Sequence, residues 1–318
     1  MENGQQGKKE GWEREVLEKL AFASLEESRK ARRWGNAFKI FIAVYLVIVL
    51  LLMQSGSWGE KALASRYSAM VELDGEISAD SAANAHNIIK GLRGAFEDKA
   101  AIGVILHANS PGGSPVQSAY IYDEILRLRE KYPDKSLYAV IGDVCASGCY
   151  YAVAAADKIY ASPSSIVGSI CVLMDGFGFV EGMKKLGVER RLLTAGENKG
   201  MLDPFSPLDA KARRHAQTML DDIHGQFIDA VKQGRGTALK SNKEIFSGLF
   251  WSGAKAKELG LVDEYGSASS VARDVIGAEE IMDYTVRENL FSRLAERFGM
   301  AMGRSVASEL RLPASRLR

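Results

Sequence analysis

The sequence predicts an α/β fold, built from repeated β-α-β units and preceded by one N-terminal transmembrane helix. Three observations carry this. From Tyr67 onward, short apolar runs alternate with segments of helical period. The connections between them are short, which implies a parallel sheet with helices packed outside it. Nearer the N-terminus, Ile40 to Met53 holds no charge and no strong breaker.

Composition agrees with a folded domain of ordinary kind. The chain has 318 residues, 47% hydrophobic and 25% charged, with a net charge of +1. Length allows one large domain or two small ones. The near-neutral balance gives no global reason to expect nucleic acid as a partner. Three cysteines, Cys145, Cys149 and Cys171, do not form a disulfide framework and read as small buried hydrophobes. A C-x-x-x-C pair without two further ligands is weak support for zinc.

The elements follow in order. Residues 1–33 form a cytoplasmic segment in which Trp12, Val16, Leu17, Leu20, Ala21 and Leu25 recur at helical spacing. Residues 34–54 form the anchor, long enough to cross a hydrocarbon core of roughly 30 Å. Arg29, Lys30, Arg32 and Arg33 precede it, so the N-terminus is expected in the cytoplasm and the rest of the chain outside. The polar leader is too long for a cleaved signal peptide, and the A-x-A-like site Ala62-Leu63-Ala64 lies far past the apolar run. Residues 55–65 form a linker and 66–285 the main folded domain. Within it, strands are expected at Tyr67–Leu73, Ala101–His107 and Leu137–Ile141, with shorter extended pieces at Lys158–Ala161, Ile166–Met174 and Glu189–Leu193. Helices are expected at Ser81–Phe96, Val116–Lys131, Ser147–Ala156, Phe179–Leu186, Asp209–Lys232, Ser252–Leu259 and Ser269–Ile276. Residues 286–318 form a basic amphipathic tail.

Four stretches bear on chemistry. Ser147-Gly148 falls where an apolar strand gives way to a helix. The free N–H groups of a first helical turn stabilise negative charge, which suits a nucleophile whose reaction develops an oxyanion. A lone serine there would read as an N-cap. The stretch is not the G-x-S-x-G elbow, because Cys145 and Cys149 occupy both glycine positions. Asn109-Ser-Pro-Gly-Gly113 follows a strand and frees backbone N–H groups to face a cleft. Two bases are open to Ser147. His107 ends a strand beside the Gly-Gly loop, while His86, His215 and His224 fall in helices. Lys199 lies in a loop between Gly196 and Gly200, before Asp203-Pro204; in a partly desolvated cleft a lysine amine can take a serine proton. Ser169, in Gly168-Ser169-Ile170, could orient that amine. No P-loop, H-E-x-x-H or dinucleotide fingerprint is present, so neither cofactor nor metal is expected.

Taken together, these residues resemble the signal peptide peptidase A (protease IV) family. The resemblance runs from about Tyr67 to Tyr284. It includes Asn109 to Gly113, Asp143 with Ala146-Ser147-Gly148 and Tyr150-Tyr151, Ala156 to Ile159, Gly168 to Ile170, Lys199 with Asp203-Pro204-Phe205, and Gly260 to Asp263. It implies a Clp-protease/crotonase-type fold and a Ser/Lys dyad without metal or nucleotide. Ser147 then becomes the nucleophile, Lys199 the general base and Ser169 the group that positions it. The N–H groups of Gly113 and Gly148 become the oxyanion hole. Cys149 and Cys171 stand where glycine is common in the family. The family's ring-like oligomers imply that serine and lysine converge across a subunit boundary.

The expected function is a membrane-anchored, ATP-independent serine endopeptidase. It would degrade signal peptides or other membrane-proximal peptides, as a homo-oligomer at a bacterial inner membrane. The alternatives are a catalytically silent membrane scaffold of the same fold and an acyl-CoA enzyme of crotonase type. The Ser/Lys set disfavours both, and the anchor also disfavours the second.

Overall fold

The computed structural model describes Trp34, Asn36, residues 38–48 and residues 66–287. The expected helix within 1–33, the linker 55–65 and the tail from 288 onward lie outside the described residues, as do 35, 37 and 49–54 of the expected anchor. The described residues fall into two units, divided between Ala64 and Ser65. In the first, residues 38–48 are helical (α1) and exposed throughout. Among the described residues, no helix is long and apolar enough to cross a membrane.

The second unit is built on a mixed, mostly parallel sheet. Its central strands β1 (Tyr67–Asp74), β2 (Ala101–Ser110) and β3 (Leu137–Ala146) are apolar along most of their length, as strands covered on both faces are. Strand order is β6 (Phe250–Ser252), β5 (Ile166–Gly168), β3, β2, β1 and β8 (Ile281–Asp283), with β4 (Lys158–Ala161) pairing β3 off this path and β7 (Glu264–Tyr265) pairing β4. All pairs are parallel except β5 (Ile166–Gly168) with β6 (Phe250–Ser252). The sequence implied a wholly parallel sheet. The antiparallel edge arises where β6 returns along β5 in a pairing set by residues far apart in the chain.

Helices cover the sheet. α2 (Ala85–Glu97) starts at Asn84, whose side chain accepts from the Asn87 N–H at 2.8 Å; such a cap contributes about 1 kcal/mol. α3 (Pro115–Lys131) starts at Ser114 with proline in its first turn, where the missing N–H costs nothing. α4 (Gly148–Val153) follows β3 directly. These three helices and α6 (Ala210–Arg235) supply the main core, with Leu92, Phe96, Ile121, Ile125, Tyr150 and Val231. Ile105, Val140, Tyr160, Val271 and Ala272 form a smaller cluster.

Several elements differ from expectation. β2 and β3 run on to Ser110 and Ala146. The extended piece expected at Ile166–Met174 stops at Gly168, because Gly168 and Ser169 both take positive φ and turn the chain. Glu189–Leu193 forms no strand and finds no sheet edge. Ser269–Ile276 begins as α8 (Ala268–Ser270) and widens into a π-helical turn over Val271–Ile276. α5 (Val180–Lys185) and α7 (Gly253–Glu258) lie where helices were expected; β8 (Ile281–Asp283) pairs β1.

β3 forks. Its first half pairs with β4 through Tyr138 to Ile141, and its second half with β5 through Val144 to Ala146. Against β2 the register passes from Ala108↔Ile141 to Ser110↔Cys145, so β3 carries extra residues at Gly142 to Val144. Asn109 fills this bulge: its Oδ1 accepts from the N–H groups of Asp143 (3.2 Å) and Val144 (3.3 Å), while its Nδ2 donates to Asp74. The bulge re-aims the end of β3 toward β5.

Candidate active site

Ser147 sits at the end of that re-aimed strand and caps α4. Its backbone takes φ 52° and ψ −125°, an uncommon state for a residue with a side chain, and its hydroxyl makes no capping bond to the helix. The hydroxyl is thus left for another partner. The residue is half-buried. Its N–H donates to the Gly168 carbonyl at 2.8 Å, extending the β3–β5 ladder one step beyond Ala146↔Gly168. That step brings Ser169 alongside Ser147. Ser169 also takes positive φ (53°) and donates its N–H to the Leu249 carbonyl at 2.8 Å. Both serines are therefore set by backbone bonds, Ser147 to β5 and Ser169 to the residue just before β6.

The Gly-Gly loop lies against the same point. Gly113 takes φ 145°, and a Cβ there would run into the Ile77 carbonyl, so only glycine fits. The loop is pinned by Ile77 N–H to the Gly112 carbonyl (2.8 Å) and Ser114 N–H to the Ile77 carbonyl (2.7 Å). A Cβ on Gly148 would strike the Ser118 hydroxyl and stand 3.2 Å from the Gly113 nitrogen, so the two glycines lie close together. Among the described residues, neither the Gly113 nor the Gly148 N–H meets a hydrogen-bond acceptor. A free amide pair next to an uncapped serine hydroxyl is an arrangement able to bind a developing oxyanion.

α4 is held from behind. The Tyr150 hydroxyl, fully buried, donates to the Leu261 carbonyl at 2.8 Å, and burial pushes this phenol up. Tyr151 stacks on Phe227 of α6 and meets Tyr122 of α3 edge-on. The buried Arg235 grips both oxygens of Asp263 (2.8 and 2.9 Å) and the Gly260 carbonyl, while Asp263 also accepts from the Ile159 N–H. Asp157 accepts from the Leu137 N–H and pairs with Arg129. The motif residues at 150–151, 157–159 and 260–263 thus build the support of the site rather than the site.

The structure places the two possible bases differently. His107 alternates with Leu106 and Ala108 along β2, so it shares a sheet face with Ile105 and Val140, opposite the main core to which α4 belongs. Lys199 lies on residues 172–208, an arm on which no residue is buried. It is exposed and makes no hydrogen bond to Ser147 or Ser169 within the chain. The arm folds on itself through stacked Phe179 and Phe205, and Arg190 approaches Asp203. The Ser206 hydroxyl and the nearby Arg190 hold the Asp203 carboxyl below its usual range. A cavity of about 710 Å³ opens between the arm and α6, lined by Phe177, Val180, Leu202, Pro204, Leu208 and Leu220; Ser147 does not line it.

The cysteines require a correction. Cys145 and Cys149 are buried, as expected, but they are joined to each other by a disulfide that spans Ser147, with Cα atoms 5.2 Å apart. Cys171 is free, its sulfur 3.8 Å from the Ser169 hydroxyl. Among the described residues, no three His, Cys, Asp or Glu side chains converge as a metal site. Sequence reasoning also missed Ser118, which lies under Gly148; its only signal was a serine one helical turn after the cap Ser114.

A serine on a tight strand-to-helix turn beside free amides, in an α/β domain, is an arrangement that suits a nucleophilic-serine protein. Peptidase family S49 matches residues 129–279. A protein of Methanocaldococcus jannaschii, named as a candidate protease, is 32% identical over 221 residues, covering 67% of this chain and 70% of its own. A protein of Enterococcus faecium named as a candidate signal peptide peptidase SppA is 31% identical over 205 residues, covering 64% of this chain and 59% of its own. The Na(+)/H(+) antiporter NhaA of Brucella abortus is 47% identical over 186 residues, covering 58% of this chain but 25% of that protein. The chain thus spans a quarter of the antiporter's length, and most of the protein so named lies outside the match. This chain belongs to peptidase family S49, the signal peptide peptidase A family.

Proposed function

We propose that the chain is a membrane-anchored serine endopeptidase that works without ATP. The observation that carries this is Ser147 on its positive-φ turn, uncapped, beside the unpaired N–H groups of Gly113 and Gly148. Ser147 attacks the scissile carbonyl, neutral Lys199 accepts its proton, and the two glycine amides hold the oxyanion. Lys199 then protonates the leaving amine, and water releases the acyl group from Ser147. Ser169, beside Ser147, orients the lysine amine. The protein assembles as a homo-oligomer, and the exposed Lys199 arm of one copy reaches the Ser147 of another. The fold is read as Clp-protease/crotonase-type. The substrates are signal peptides or other membrane-proximal peptides.

Residues 34–54 are proposed as the anchor in a bacterial inner membrane, with residues 1–33 cytoplasmic and 66–285 outside. The disulfide between Cys145 and Cys149 supports that side, since such bonds persist in oxidising compartments. The exposure of Lys199, which makes no hydrogen bond to Ser147 within the chain, favours a second reading, a silent scaffold of the same fold.

Cleavage of a fluorogenic leucine-rich peptide by the full chain in detergent separates them. Ser147→Ala and Lys199→Ala are each expected to lower kcat by about a thousandfold or more with assembly intact. An oligomeric wild type that neither cleaves peptide nor reacts with a fluorophosphonate at Ser147 would establish the scaffold instead.

A further inference from the structure

We infer that the Cys145–Cys149 disulfide is a positioning cross-link for the nucleophile and the oxyanion amide, so that the reactivity of Ser147 depends on the redox state of this pair. The inference rests on the peptidase reading above. Its basis is where the bond lies. Cys145 is fixed inside the sheet, in register with Ser110 on one side and Val167 on the other. Cys149 is fixed in α4, fully buried in the main core. Between them stand only Ala146, Ser147 and Gly148. The bond therefore closes a short ring containing both the attacking hydroxyl and one of the two free amides.

That ring has work to do. Ser147 holds a sparsely populated backbone state, and such a state persists only where its surroundings over-determine it. The Ser147 side chain supplies no cap to hold the turn, and its N–H is tied by a single bond to Gly168. With the disulfide open, the segment can relax toward negative φ, which turns the Gly148 N–H away from that of Gly113. The covalent tie removes this freedom. A dithiol reductant opens it by exchange: two electrons pass to the sulfur pair, each sulfur takes up a proton, and the reductant leaves as its own disulfide.

The test uses the full chain in detergent, oxidised, reduced with dithiothreitol, and as the Cys145→Ala/Cys149→Ala variant. Alkylation and mass count the free thiols: Cys171 alone in the oxidised chain, all three cysteines in the reduced one. For peptide cleavage, kcat and the rate of fluorophosphonate labelling at Ser147 are expected to fall about 10- to 100-fold in both altered forms, with KM nearly unchanged. Circular dichroism is expected to stay constant, and reoxidation to restore the wild type. Equal kcat in all three forms overturns the inference. So does a loss that tracks loss of circular dichroism, since the bond then only holds the fold. An oxidised wild type that is inactive and unlabelled brings down the peptidase reading and the inference with it.

Discussion

At the scale of single residues, the site depends on atoms that are missing as much as on those present. Gly148 has room for hydrogen only, because the Ser118 hydroxyl stands where a Cβ would go. Gly148→Ala is therefore expected to push α4 outward, move the amide, and lower kcat about a hundredfold, while overpacking costs about 1–3 kcal/mol. Peptide kinetics together with chemical denaturation would read both effects, and unchanged kcat would remove Gly148 from the oxyanion hole. The placing of Ser147-Gly148 at a strand-to-helix turn was legible because the signal is local: an apolar strand, a small-residue turn, a helix. The disulfide was not. Two cysteines four apart sit about 13 Å apart on a strand, beyond bonding reach. Only the turn at Ser147, whose φ no local pattern announced, brings their Cα atoms to 5.2 Å. Ser169 was found from its motif, but its placement beside Ser147 comes from the pairing of β3 with β5.

At the scale of elements, the helices and central strands were readable from period, and their ends were less so. Gly142-Asp143-Val144 reads as a turn in the sequence; in the fold it is a bulge that Asn109 satisfies from the next strand. Long-range bonds of that kind leave no trace in local pattern. The same holds for the clasp between α2 and α3, where Glu124 meets Arg93 (2.8 Å) and Arg127 (2.6 Å). Burial pushes the Glu124 carboxyl up, but the hydrogen bonds and charges of Arg127 and Arg93 outweigh it and bring it to about 2, from an ordinary 4.5. A carboxyl lowered on folding adds stability above its unfolded value and loses it as pH falls toward its folded value. Glu124→Gln is thus expected to cost about 1–2 kcal/mol near neutrality, and the gap from wild type should close between about pH 4.5 and pH 2. Urea unfolding across that range measures the gap; a constant gap would mean that packing, not charge, joins the helices.

At the scale of the whole molecule, the arm over residues 172–208 is the part a single chain leaves unfinished. It carries Phe177 at 79%, Leu186 at 80% and Leu193 at 96% exposure, amounts that a protein seldom leaves to water on one short segment. The same arm carries Lys199, the base proposed above for Ser147. Assembly of copies would cover the first and supply the second. This leads to a prediction that separates a shared site from one built within each chain. Ser147→Ala subunits are expected to be inactive, and so are Lys199→Ala subunits. If each site takes its serine from one copy and its lysine from a neighbour, co-assembly of the two variants in equal amounts restores some sites. A site then needs a serine-bearing subunit next to a lysine-bearing one in the right order. Random mixing around a head-to-tail ring gives about a quarter of wild-type activity. If both groups come from the same chain, every site lacks one of them at any mixing ratio, and the mixture stays as inactive as its parts. Peptide cleavage by co-expressed, differently tagged subunits, purified through both tags in turn, decides between these. The sequence alone could single out Ser147 and Lys199, but the exposure of the arm that carries Lys199 appears only once the chain is folded.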